Sequence, residues 1–178
     1  MRWCWIVLMG ACLHAAAAEN IEQVLDRSQQ TRLAQRPATE AHSAAAERVR
    51  ASLQRLCSLA GANAPKVELV LVGGGLFAEA LLDRAGIAVS QDVGELPEGE
   101  RLLLLAHELG HVRMGHARAL KALYRVHIPG EVRPETTNHV DAALGAQAHE
   151  LSHRHELEAD AYGYALVRSL GFGFDNAF

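Results

Sequence analysis

The sequence predicts an α+β domain, mostly helical, with a small β-sheet and one helix that carries the reactive groups. Three observations lead there. Apolar residues recur at helical spacing through most of the chain. Only Val67–Val72 and the pair Phe77–Leu82 and Gly86–Ser90 read as strands, the latter two joined as a hairpin through Asp83-Arg84-Ala85-Gly86. Finally, His107-Glu108-Leu109-Gly110-His111 closes the apolar run Leu102 to Ala106, so a helix buried on most sides presents two histidines one turn apart. The formal charge of −4 is spread along the chain without a basic cluster, which excludes nucleic acid as an expected partner.

Taken in order, Met1-Arg2, the apolar segment Trp3 to Leu13 and Ala15 to Ala18 have the layout of a secretory signal peptide. Residues 1–18 are therefore read as the signal and 19–178 as a single domain. The apolar part is too short to span a bilayer, and no later segment reaches the ~18 apolar residues that spanning requires. The mature product is expected to be exported, periplasmic or secreted, with no transmembrane segment. Attachment as a lipoprotein through Cys12 is disfavoured, because Met9 stands where leucine is usual. Signal removal takes Cys4 and Cys12 away and leaves Cys57 without an intramolecular partner. Cys57 shares a predicted helix face with Val49, Leu53 and Leu56 and reads as a buried structural thiol.

Asn20 and Gln23 form a capping-box pattern for a short helix with Ile21, Val24, Leu25 and Leu33, ending before Pro37; residues 19–37 are read as an N-terminal arm. A scaffold helix is predicted from about Glu40 to Ala60, with Gly61 as its stop. The strand Val67–Val72 ends at Gly73-Gly74-Gly75, a turn rather than a phosphate loop, since no lysine-serine or helix opening follows. Pro97-Glu98-Gly99-Glu100 opens the helix of the histidine pair, with acidic residues at its positive end, and that helix runs to about Met114. His116 and His127 fall in the connection. Ile128 to Pro134 is an irregular loop. Asn138 with Asp141 caps a last helix that ends at Gly171, in which Gly145 and Gly163 allow bending or close packing.

On a helix, residues i and i+4 lie on one face, so His107 and His111 can direct ring nitrogens at one metal ion, with Glu108 placed to take a proton from water. A catalytic zinc has three protein ligands and an open position. Glu156, on a later helix, is the candidate third ligand. A second match, His149-Glu150-Leu151-Ser152-His153, lacks such a partner: Glu156 lies on the same helix, roughly 10 Å along the axis from His149. Gly110 is read as leaving room above the metal, and Glu158 as pointing elsewhere and tolerating alanine.

Leu105-Ala106-His107-Glu108-Leu109-Gly110-His111-Val112, followed by Glu156-x-x-Ala159-Asp160, resembles the zinc metallopeptidases that include HtpX and the CAAX-prenyl proteases, of the gluzincin class. The resemblance is sharp at these motifs and looser from Lys66 to Phe174. It implies a zincin-like fold and one Zn2+ per chain, held by His107, His111 and Glu156. It further implies Glu108 as general base acting on a zinc-bound water, Asp160 supporting the site, and peptide or unfolded protein as substrate. The family's rim strand before the active-site helix corresponds to Ile87-Ala88-Val89-Ser90, where extended peptide would add as another strand. Relatives often carry transmembrane helices and continue beyond the second motif, so a minimal soluble catalytic domain is expected. His153 is a candidate substrate or transition-state contact; Tyr162, Tyr164, Arg168 and His139 compete for that role, and nothing sets the oligomeric state. The alternative is a non-catalytic metal-binding or chaperone-like protein, which ten histidines make conceivable, although merely holding zinc needs no Glu108.

Overall fold

A computed structural model describes residues 19–61, 66–137 and 142–173. The predicted signal and the Asn138/Asp141 cap lie outside these residues. Helix α1 (Ile21–Ala34) starts where the capping box predicts, with the Gln23 N–H donating to Asn20 Oδ1 at 3.0 Å and the Asn20 N–H to Gln23 Oε1 at 2.9 Å. It is docked rather than a loose arm: Ile21 packs with Ile128 and Leu144 in a small second core. Helix α2 (Ala44–Leu59) begins four residues after the predicted Glu40, because Ser43 caps it by accepting from the Ala46 N–H at 3.1 Å.

Strands β1 (Glu68–Val72), β2 (Ala78–Ala80) and β3 (Gly86–Ser90) form one sheet in the order β1-β3-β2. The β2–β3 hairpin is antiparallel and β1 runs parallel to β3. This corrects the expectation that Ile87–Ser90 forms the rim of a cleft. β3 is the middle strand and every residue in it is buried, as suits a short run that is apolar on both faces. β1 and β2 are the edge strands, and β2 is the one that lies against α3. Across its outer side lies Gln29 of α1, 3% exposed, whose amide N–H donates to Ala80 O at 3.0 Å while its Oε1 accepts from the Leu82 N–H at 2.8 Å.

A 3-10 turn (Gln91–Glu95) leads into α3 (Glu98–Met114). The turn lies so close to α2 that a Cβ on Gly94 would fall 2.1 Å from Ala45 O. Buried Arg101 ties the three elements together, donating to Ser52 Oγ at 2.9 Å and to Leu96 O at 2.7 Å. Helix α3 stops at Gly115, which adopts φ +70°, a conformation that glycine reaches without the penalty of a Cβ.

The chain then enters α4 (His116–His127), where a connection was expected. Leu120, Leu123 and Tyr124 recur there at i, i+3 and i+4. After a single turn, α5 (Pro134–Thr137), α6 (Ala142–Arg168) runs against α3. Leu102, Leu105 and Leu109 of α3 form the main core with Leu53 and Leu56 of α2 and Ile87 and Val89 of β3; each such side chain contributes about 1.5–3 kcal/mol by burial. Cys57 is partly buried against this core.

The α3–α6 contact depends on glycine. A Cβ on Gly110 would lie 3.1 Å from Ala159 Cα, and one on Gly163 would lie 2.9 Å from His107 N. Gly110 thus faces the helix crossing instead of leaving room above the metal. Gly163 supplies the predicted close packing, whereas none of the described residues lies within 4 Å of a Cβ on Gly145. Among the described residues no helix is long and apolar enough to cross a membrane.

Candidate active site

Helix α3 contributes His107, Glu108 and His111, and α6 brings Glu156 and Asp160 across the glycine contact. The Nε2 atoms of His107 and His111 stand 3.0 Å apart, and the Glu156 carboxylate oxygens lie 3.3 Å from the first and 3.6 Å from the second. These three residues form a group able to hold a metal ion.

The outer hydrogen bonds decide where the protons are. Asp160 Oδ1 lies 2.8 Å from His107 Nδ1. The carboxylate accepts, so that ring carries its proton on Nδ1 and a lone pair on Nε2. His111 Nδ1 lies 2.9 Å from His116 Nδ1, and His116 Nε2 lies 3.1 Å from a Glu158 carboxylate oxygen. His116 therefore donates from Nε2 to Glu158 and, as a neutral ring, accepts at Nδ1. His111 then donates from Nδ1, and its Nε2 also carries a lone pair.

Both lone pairs and a carboxylate thus converge with no proton among them, an arrangement that a cation satisfies. Ligand atoms about 2.0–2.1 Å from one tetrahedral zinc stand about 3.3–3.4 Å from each other, close to the three separations found. The donor set fits Zn2+. Burial, with the neighbouring histidines, pulls His111 down to about 4 from 6.5, so its imidazole is neutral at neutral pH.

Glu108 lines the same cleft as the three candidate ligands and is bonded to the sheet. It is 8% exposed, and the Ala80 N–H of the edge strand donates to its Oε2 at 2.8 Å. Burial lifts its carboxyl from 4.5 to about 7, opposed by His107 and the Ala80 N–H. A base titrating near neutrality can accept a proton in one step and return it in the next. A cleft of about 300 Å³ opens over these groups, walled by Ala78 and Ala80 on one side and by Ser152 and His155 on the other.

Placement of the remaining residues is mixed. His153 is exposed on α6 and absent from the cleft lining, whereas Ser152 and His155, at i−4 and i−1 from Glu156, share its stripe. The second histidine pair is exposed, and neither His149 nor His153 belongs to the metal-binding group. Tyr162 packs against the core beside Gly110, Arg168 lies over the Tyr164 ring, and His139 is outside the described residues.

Sequence reasoning missed His116, His155 and Glu158. His116 is buried and its ring stacks on His155 at 3.9 Å and 4°. Glu158 does not point into empty solvent, since it accepts from His116. The one available signal was the glycine at position 115, which ends α3 and starts a new helix within one turn of His111.

The model of peptidase family M48 matches residues 43–176 of the chain. No curated protein and no solved structure matches it.

Proposed function

The chain belongs to peptidase family M48, and from that premise we propose that it is an exported zinc-dependent endopeptidase that cleaves extended or unfolded polypeptide. Membership makes it a metallopeptidase. The choice of metal, the mechanism and the export are our reading.

One observation carries the reading: two imidazole Nε2 atoms and the Glu156 carboxylate converge at 3.0–3.6 Å beside a buried Glu108 at the foot of an open cleft. His107, His111 and Glu156 would hold one zinc per chain, which when bound would supply Lewis-acid polarisation of the scissile carbonyl and acidification of water. Glu108, held by the Ala80 N–H, accepts the proton of the attacking water and delivers it to the leaving amine. Asp160 fixes the His107 ring and its tautomer.

Extended substrate lies along β2. The Ser90 N–H donates to Phe77 O and the Leu81 N–H to Gly86 O, both at 2.8 Å. Odd-numbered residues therefore pair with β3, and Ala78 directs its N–H and C=O to the open side. A peptide strand adds there. The layout of residues 1–18 as a signal supports export.

The test uses the mature chain, residues 19–178, on an unfolded protein substrate, with zinc measured by elemental analysis. Wild type is expected to hold one zinc per chain and to cleave. Glu108→Gln should keep the zinc and lose at least about 100-fold in rate, and His107→Ala should lose both. Full activity in the glutamine variant would remove Glu108 as the base. Zinc binding without hydrolysis by wild type would favour a metal-binding or chaperone-like role.

A further inference from the structure

We propose that His116 and Glu158 form a two-residue relay that positions the metal ligand His111. The inference rests on the reading of His107, His111 and Glu156 as the ligand set. It assigns roles to two side chains that neither motif specifies: His116 lies beyond the HExxH pattern, and Glu158 occupies an unspecified position of the second motif.

The two histidine ligands are supported differently. His107 donates to the exposed carboxylate of Asp160 directly. His111 instead meets another imidazole, and the carboxylate stands one ring further out. His116 is 5% exposed and is bonded at both nitrogens, to His111 at 2.9 Å and to Glu158 at 3.1 Å. Its plane is fixed by face-to-face stacking on His155, 3.9 Å away at 4°.

Polarity makes this more than a satisfied core histidine. With neutral rings and an ionised Glu158, every donor in the chain points outward, from His111 Nδ1 to His116 Nδ1 and from His116 Nε2 to Glu158. That is the one arrangement leaving His111 Nε2 free to bind metal. The opposite tautomer of His111 would place a lone pair of neutral His116 against a carboxylate. The relay thus sets both the rotation of the His111 ring and the nitrogen that faces Glu156, and it increases the electron density that His111 offers.

Local structure explains how His116 reaches this place. Gly115 at φ +70° breaks α3 immediately after the ligand turn and starts α4 with His116 as its first residue. Glu158 follows Glu156 on α6, so a single helix supplies the third ligand and the outer end of the relay.

The experiment measures zinc affinity of the mature chain by competition with a chromophoric chelator, alongside kcat and KM at saturating zinc. His116→Gln keeps an acceptor for His111 and a donor for Glu158, whereas His116→Leu fills similar space with neither. A packing role predicts that leucine does at least as well as glutamine. The relay predicts that leucine weakens zinc binding by about 10–100-fold and that glutamine recovers much of it.

Glu158 is half-exposed, and Glu158→Ala leaves the fold intact; it should weaken zinc severalfold and lower kcat with KM little changed. The Glu158 variant decides the matter if both His116 variants fail to fold. Wild-type zinc affinity in His116→Leu or in Glu158→Ala, with His107→Ala empty of zinc, overturns the relay alone. Retention of zinc by His107→Ala overturns the ligand set beneath it.

Discussion

The role proposed for Glu108 comes with a cost in stability. Its carboxyl is lifted from 4.5 to about 7, mainly by burial, a displacement equivalent to about 3 kcal/mol between the two protonation states. The folded-state pKa lies above the unfolded one. The zinc-free protein is therefore unaffected below about pH 4.5 and loses stability as the pH rises through 7. Glu108→Gln keeps an acceptor for the Ala80 N–H and never ionises. In zinc-free protein it should gain about 1–3 kcal/mol over wild type at pH 8 and little at pH 5, read from urea unfolding midpoints. Coincident midpoints at pH 8 would refute this. Cys57 titrates above its ordinary range because burial disfavours its thiolate. It should react with iodoacetamide at pH 8 more slowly than a free small thiol, and faster labelling would contradict a structural role.

Among elements, the α3–α6 crossing sets the metal site. The candidate ligands on two helices converge because Gly110 and Gly163 let the backbones approach, and the Cβ added by Gly163→Ala would lie 2.9 Å from His107 N. That variant should lose about 1–3 kcal/mol of stability and bind zinc more weakly. Gly145→Ala, on the same helix with none of the described residues within 4 Å of the added Cβ, should gain about 0.5–1 kcal/mol. Thermal melts and zinc titrations of the pair test the contrast, and equal behaviour would remove the crossing as the cause.

The same element scale shows what sequence could reveal. His107 and His111 were legible because i, i+4 spacing is local, and the capping box of α1 because both partners lie within three residues. Strand order was not legible, since pairing β3 between β1 and β2 depends on contacts between strands with no periodic signature. Helix α4 was hidden by Gly115, which separates two helices where a single stop was expected.

At the scale of the whole molecule, the site draws on parts that sequence alone could not assemble. The histidine pair is local, Glu156 was named as a carboxylate arriving on a later helix, and the bonds of His116 to His111 and Glu158 needed the fold. Helix α1 lies outside the family-matched residues 43–176, yet it covers Ile128 and Leu144, which are 5% and 4% exposed. A chain starting at Ser43 should melt at lower temperature than the mature chain, and an unchanged midpoint would show α1 to be dispensable. Gln29 has a further consequence. It donates to Ala80 O and accepts from the Leu82 N–H, while Glu108 takes the Ala80 N–H; a short stretch of β2 around Ala78 is left, enough for a substrate in passing but too little to template a neighbour's strand. On the proposal that its substrates are unfolded chains, the enzyme would work among sticky, aggregation-prone polypeptides, and this one side chain would keep it from joining them: concentrated Gln29→Ala should scatter light and elute as large species where wild type does not.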